Sequence, residues 1–155
     1  MIAVTRLFEF DAAHRVLGHE GKCRHLHGHR YRAEVTVQAP DLDALGRVVD
    51  FSVLKERVGV WLDEFLDHNA ILHPSDPLLK ILRDAGERVP FVMPFDKNPT
   101  AENIAFVIYH VAVSLLPDHL EVLRVRVWET SNCYAVFSPG GAGGDNKGSL
   151  EEQRP

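Results

Sequence analysis

Two stretches of apolar–polar alternation constrain this chain more than anything else in it. In the first, Ile2, Val4, Phe8, Phe10, Ala12 and His14 share one parity, with Arg6 as the single break. In the second, His27, His29, Tyr31, Ala33, Val35, Val37 and Ala39 share one parity, and Arg30, Arg32, Glu34, Thr36 and Gln38 take the other. Period two is the period of a strand, and one apolar face per strand means a half-buried sheet. The connection from Arg15 to Leu26 is short, and an antiparallel pair brings His14 to the end of the sheet where His27 and His29 stand. All three histidines then extend the covered face and sit at the mouth of a pocket. A bulge in either strand would change that parity.

The rest of the chain supplies cover for such a sheet. Pro40 to Val49 reads as a loop. Ser52 is expected to cap a helix in which Leu54, Val58, Trp61, Leu62 and Phe65 recur at helical spacing. Residues 68–99 look irregular and contain Pro74, Pro77, Pro90, Pro94 and Pro99, with room for a short helix near Leu78–Ala85. Thr100 is expected to cap a second long helix, with Ile104, Ala105, Ile108, Val111, Ala112 and Leu115 on one face and Pro117 ending it. Leu123, Val125, Val127 and Glu129 alternate against Arg124, Arg126 and Trp128 as a third strand, and Cys133 to Phe137 form a fourth. The order ββααββ predicts an α+β fold, a four-stranded antiparallel sheet with two main helices on one face. Residues 1–139 make one domain, and the Gly- and charge-rich stretch 140–155 is expected to be a disordered tail. The polar face of the sheet, with Arg32, Glu34, Thr36, Arg124, Arg126 and Trp128, either meets water or lines a solvated interior between subunits.

Composition excludes several classes. A net charge of −5 over 155 residues does not suit a general nucleic-acid binder. Two cysteines make no disulfide framework, and no apolar run is long enough to span a bilayer. The N-terminus alternates like a strand and lacks the apolar core of a signal peptide. A reduced, cytoplasmic enzyme is the expectation, with no nucleic-acid or membrane partner.

The candidate chemistry gathers around the histidines. Three neutral nitrogen ligands with one open position is the arrangement of a catalytic zinc. The bland alternative, a set of surface histidines, leaves their shared extension of an apolar face unexplained. Cys23, flanked by Lys22, Arg24 and His25, is a candidate thiolate, against the commoner role of a small buried residue. Asp67-His68 can pair so that the carboxylate orients the imidazole, though spacing alone favours a plain helix C-terminus. Glu129 continues an apolar parity, where a carboxylate needs a partner such as the paired N–H donors of a guanidine-like ring edge; an exposed strand end is the alternative. Thr100 and Glu102 are further substrate-binding candidates, set against ordinary cap and first-turn roles. Arg15, Lys22, Arg24 and Arg30 are cations that either meet an anionic substrate or lie solvated.

Five motifs follow in order: Phe8-Glu9-Phe10-Asp11-Ala12-Ala13-His14, Cys23-x-x-x-His27-Gly28-His29, Leu66-Asp67-His68, Asn98-Pro99-Thr100-Ala101-Glu102-Asn103 and Val127-Trp128-Glu129-Thr130. Together, from Leu7 to about Ser138, they resemble the family of 6-pyruvoyl-tetrahydropterin and 6-carboxytetrahydropterin synthases. The resemblance implies the tunnelling fold, in which strands of several subunits close a barrel. It also implies a homohexamer of two trimers with active sites at subunit contacts. By the same resemblance His14, His27 and His29 match the zinc ligands and Cys23 the catalytic cysteine. Asp67 and His68 match the second acid/base pair, which the implied assembly would bring to a neighbour's Cys23, and Glu129 matches the pterin anchor. The gap of three residues between Cys23 and His27 is similar to that of the bacterial 6-carboxytetrahydropterin synthases of queuosine biosynthesis. The implied activity is conversion of 7,8-dihydroneopterin triphosphate to 6-carboxy-5,6,7,8-tetrahydropterin, with loss of acetaldehyde and triphosphate. The rivals are the pyruvoyl-forming synthase and a non-enzymatic pterin- or metal-binding module. One departure from the family pattern is the long stretch from His73 to Lys97, which could reshape the pocket rim. Ser131-Asn132-Cys133 is another.

Overall fold

The computed structural model describes residues 2–140, so the stretch expected to be a disordered tail lies, Gly140 apart, outside the described residues. The two alternating stretches form β1 (Ala3–His14) and β2 (His27–Gln38). They pair antiparallel without a break in register, from Ala3 opposite Gln38 to His14 opposite His27. β2 also pairs antiparallel with a later strand (Glu121–Trp128), with a shift in register between Thr36 and Val37. That strand in turn pairs with the last one (Tyr134–Phe137). The bulge lies at the far end of β2 from the histidines, so their parity is untouched.

The sheet has a fifth strand that alternation did not mark. Asn69–Ile71, numbered β3, runs parallel to β1 against Ala12, Ala13 and His14. Numbering the two later strands β4 and β5, the order across the sheet is β3-β1-β2-β4-β5. Three residues carry no readable period, and their pairing is fixed by tertiary contact, which is why the sequence predicts four antiparallel strands only.

The first long helix starts two residues earlier than expected. Asp50, not Ser52, is its N-cap, and the Asp50 carboxylate accepts the Ser52 N–H at 2.8 Å. It runs as α1 (Phe51–Leu54), a π-helical turn (Lys55–Gly59) and α2 (Val60–Phe65). The wide turn lets Gly59 lie against the Phe8 ring, where a Cβ would approach Cε1 to 3.1 Å. A short α3 (Leu78–Asp84) forms where the sequence left room for it. α4 (Ala101–Leu115) is capped by Thr100, whose hydroxyl accepts the Asn103 N–H at 3.4 Å. Its Ile104, Ala105, Ile108 and Ala112 bury against Phe10, Tyr31, Val35, Val125 and Val127 of the sheet.

The opposite face of the sheet is polar and laced together. The Arg32 guanidinium stacks 4.6 Å over the Trp128 ring, Trp128 Nε1 donates to Glu34 at 2.9 Å, and Arg126 pairs with Glu34 at 3.2 Å. The effect of this two-faced sheet is to place the ends of β1 and β2, with their histidines, against the N-terminal end of α4.

Candidate functional site

His14, His27 and His29 converge. One nitrogen from each lies within 4.8 Å of the others. The final rung of β1 and β2 sets two of them directly across from each other, and the strand period adds the third. His14 Nδ1 donates to the Pro99 carbonyl at 2.7 Å, and His27 Nδ1 donates to the His25 carbonyl at 2.7 Å. A carbonyl can only accept, so both neutral rings carry their protons on Nδ1 and bare lone pairs on Nε2. Those two Nε2 atoms face each other at 3.1 Å. Two lone pairs at that separation repel, and a cation between them removes the conflict. His29 Nε2 is buried without a hydrogen-bond partner among the described residues, 3.3 Å from Glu129 Oε1 but not aligned with it. Burial lowers the proton affinity of His14 and of His29, although Glu129 acts in the opposite sense on both. Neutral, preoriented imidazoles with their second nitrogens fixed by carbonyls are what a metal ligand set requires. The residues fit a zinc or another divalent ion that accepts nitrogen donors.

Tyr31 forms the floor of this cluster. Its ring packs edge-on to His14 at 5.7 Å and His29 at 5.5 Å, and its buried hydroxyl has no partner among the described residues. Burial, with Glu129 and Cys23 nearby, raises its pKa well above the ordinary phenol value.

Cys23 sits half-buried in a single 3-10 turn (Lys22–Arg24) of the β1–β2 connection. That connection is held at three points. The Val16 N–H donates to the Cys23 carbonyl at 2.8 Å. The Asn98 amide takes the Leu17 N–H at 2.8 Å and returns a bond to the Leu17 carbonyl at 3.0 Å. Arg15 grips the buried Asp76 carboxylate through Nε, at 2.6 Å, and through a terminal nitrogen. Two of the three anchors come from the 73–98 region, which from the sequence looked irregular. Arg15 is therefore a tether rather than a free cation, and Arg30 is likewise taken up by Asp11 and Glu9 at 2.8 and 3.0 Å.

A cleft of about 270 Å³ opens beside the cluster, lined among others by His14, Cys23, Thr100, Glu102 and Glu129. Five of the residues singled out from the sequence thus meet in one place. Glu129 is the residue just after β4, with its side chain 27% exposed, and is not a fully solvated strand end. Sequence reasoning missed two further residues of this wall, His19 and Cys133. Both lie in loops, where no periodicity marks the direction of a side chain.

Asp67 and His68 form a well-made pair elsewhere. His68 Nδ1 donates to Asp67 Oδ2 at 2.6 Å, and the Asp11 N–H donates to Asp67 Oδ1 at 2.8 Å. Burial would raise the Asp67 pKa, but the Asp11 N–H and His68 hold it below its ordinary value. His68 takes a left-handed backbone, φ 56°, at the end of α2, a place that glycine usually fills. Its own N–H bonds the Asp11 carbonyl at 2.6 Å, which ties the helix end to β1. The ring is 78% exposed and lines a second, broader cleft with Asp11, Gly28, Arg30 and Arg88. Within one chain, the structure does not bring Asp67-His68 into the cleft of Cys23.

Comparison with known proteins agrees with this geometry. Residues 3–140 match the model of the family described as 6-pyruvoyl tetrahydropterin synthase. The chain is 43% identical to the 6-carboxy-5,6,7,8-tetrahydropterin synthase of Rickettsia bellii, over 86% of this chain and 98% of that one. It is 32% identical to the enzyme of the same name from Haemophilus influenzae, over 88% and 99%. Among solved structures, an uncharacterized protein of Wolinella succinogenes superposes with a TM-score of 0.74 at 27% identity, covering 89% of this chain and 98% of that one. The 6-pyruvoyl tetrahydropterin synthase of Caenorhabditis elegans shares the fold, with a TM-score of 0.66 at 22% identity over 88% and 94%. On its sequence, its sheet and its converging histidines, this chain belongs to the 6-pyruvoyl tetrahydropterin synthase family.

Proposed function

We propose that the chain is a zinc-dependent lyase that converts 7,8-dihydroneopterin triphosphate and one water to 6-carboxy-5,6,7,8-tetrahydropterin, releasing acetaldehyde and triphosphate, in queuosine biosynthesis in the cytoplasm. One observation carries it: two imidazole lone pairs facing each other at 3.1 Å beside a cleft that also holds a half-buried thiol and a carboxylate. The carboxy product is supported by the relatives of that name at 43% and 32% identity.

Zinc, when bound, would hold the hydroxyl oxygens of the substrate side chain and acidify the positions beside them. His14, His27 and His29 are its ligands. Cys23, in the connection that Asn98 and Asp76 anchor through Leu17 and Arg15, acts as thiolate and moves a proton at a side-chain carbon. Asp67 fixes the His68 tautomer, and His68 is the second acid/base group, presented to the site of a neighbouring subunit in a homohexamer. Glu129 accepts the N–H edge of the pterin, with Thr100 and Glu102 as further contacts at the cleft wall.

Product analysis after incubation with zinc and the triphosphate substrate tests this assignment. Acetaldehyde and triphosphate are expected together. Accumulation of 6-pyruvoyl-tetrahydropterin without acetaldehyde identifies the rival synthase. Binding without turnover identifies a non-enzymatic module, against which the presence of Cys23 together with Asp67 and His68 argues.

A further inference from the structure

His19 takes no part in the ligand set or in the chemistry assigned to Cys23, yet it lines the same cleft as His14, Cys23, Thr100, Glu102 and Glu129. It lies in the β1–β2 connection, and its Nδ1 accepts the Gly21 backbone N–H at 2.8 Å. A ring nitrogen that accepts bears no proton, so the neutral ring carries its proton on Nε2. Gly21 fits under this ring because it lacks a side chain. A Cβ there would lie 3.1 Å from His19 Cε1 and 3.4 Å from Nδ1. The loop thus holds the ring with one nitrogen engaged and one N–H left to give.

The neighbouring groups define what could take that proton. Glu102 and Glu129 are acceptors and suit the N–H edge of a heterocycle. His14 presents a lone pair, and the Thr100 hydroxyl accepts from the first turn of α4. A donor on this wall calls for an acceptor on the ligand, and in a pterin triphosphate the densest acceptors are the phosphate oxygens. The same loop carries Lys22 and Arg24, both exposed, while Arg15 and Arg30 are committed to carboxylates. We propose that His19 is a phosphate-contacting residue, whose Nε2–H donates to an oxygen of the substrate's triphosphate. This rests on the pterin-triphosphate assignment made above.

The test uses the zinc-loaded full chain and two probes, inorganic triphosphate and 7,8-dihydroneopterin, which has the ring and side chain but no phosphate. His19→Phe keeps a ring of similar volume and removes the donor, and His19→Gln restores one. In His19→Phe the Kd for inorganic triphosphate and the KM for the triphosphate substrate should each rise about tenfold, as for loss of a hydrogen bond to a charged group. The Kd for 7,8-dihydroneopterin should not move, and His19→Gln should recover part of the loss. Unchanged Kd and KM in His19→Phe overturn the proposal. So does an equal loss for 7,8-dihydroneopterin, which would make His19 a shaper of the cleft. Should His19→Phe not fold, His19→Ala is read against His19→Gln in the same way. A wild-type chain that binds inorganic triphosphate through His19 but never turns over the substrate sinks the lyase assignment and leaves the phosphate contact standing.

Discussion

Single side chains decide both the chemistry and the order of this site. Cys23 stands outside the three-histidine set proposed to hold the metal, so Cys23→Ala should retain stoichiometric metal and bind pterin normally. Turnover should fall about 10²- to 10⁴-fold, the range for loss of a positioned proton-transfer group, read as acetaldehyde release alongside metal content. Loss of metal in that variant would make the cysteine a ligand. Asp76 acts at one remove. Its carboxylate is fully buried, and although burial opposes its charge, the Arg15 contact and the Leu78 N–H hold its pKa below 3.8. A folded-state pKa below the unfolded one means that, as pH falls, the unfolded chain takes up the proton first. The stabilisation is therefore complete above 3.8 and is lost as pH falls through the folded value. Asp76→Asn should cost about 3 kcal/mol at neutral pH, the low end for a broken buried pair, because Arg15 keeps some contact with water. Denaturant unfolding should show that gap narrowing in acid, and a gap independent of pH would mean that the charge of Asp76 does not matter.

Among the elements, the β1–β2 ladder matters most, because its last rung carries two of the three converging histidines. Gly28 lies between two of the ligands, and a Cβ there would sit 3.0 Å from the Ala12 carbonyl oxygen. Gly28→Ala should push the strands apart by a few tenths of an ångström at the Ala13–Gly28 rung, next to the one that pairs His14 with His27. The fold should survive, while zinc affinity falls about tenfold, the low end for disturbing the groups that orient ligands. Competition with a chelator measures this, and wild-type affinity would show that the rung tolerates the shift. The ladder was legible in the sequence because long alternation on two neighbouring strands leaves one register that turns both apolar parities to the covered face. β3 was not legible, since three residues have no period and are placed by the bond from His68 N–H to the Asp11 carbonyl. The Asp67–His68 pair was hidden for the same reason. Spacing could not separate it from an ordinary helix end, and its geometry depends on Asp11, far away in the chain. Asp76 escaped notice in a proline-rich stretch, and Asn98 was marked only as the start of a motif, because their partners, Arg15 and the Leu17 backbone, carry no motif that points to them.

At the scale of the molecule, the two halves of the proposed chemistry do not share a cleft in one chain. Cys23 and Glu129 line one opening, and His68 lines another, with an exposed ring and a strained backbone that positions it for use. Within one chain the pair ties the end of α2 to β1, but the cleft that its exposed ring lines holds neither Cys23 nor Glu129. In a symmetric assembly the same pair on one subunit can face the Cys23 cleft of another, and each site then draws on two chains. Mixing two inactive variants tests this directly. Cys23→Ala supplies an intact Asp67-His68 pair, and His68→Ala supplies an intact Cys23. Co-expressed or refolded together, they should form mixed sites that release acetaldehyde well above the level of either parent. Each variant alone should elute at the wild-type size and hold its full complement of metal, so that the recovery reports on site composition rather than folding. Mixtures that stay as inactive as their parents, although shown by differential tagging to share oligomers, would mean that the pair serves its own chain or does not serve the reaction at all.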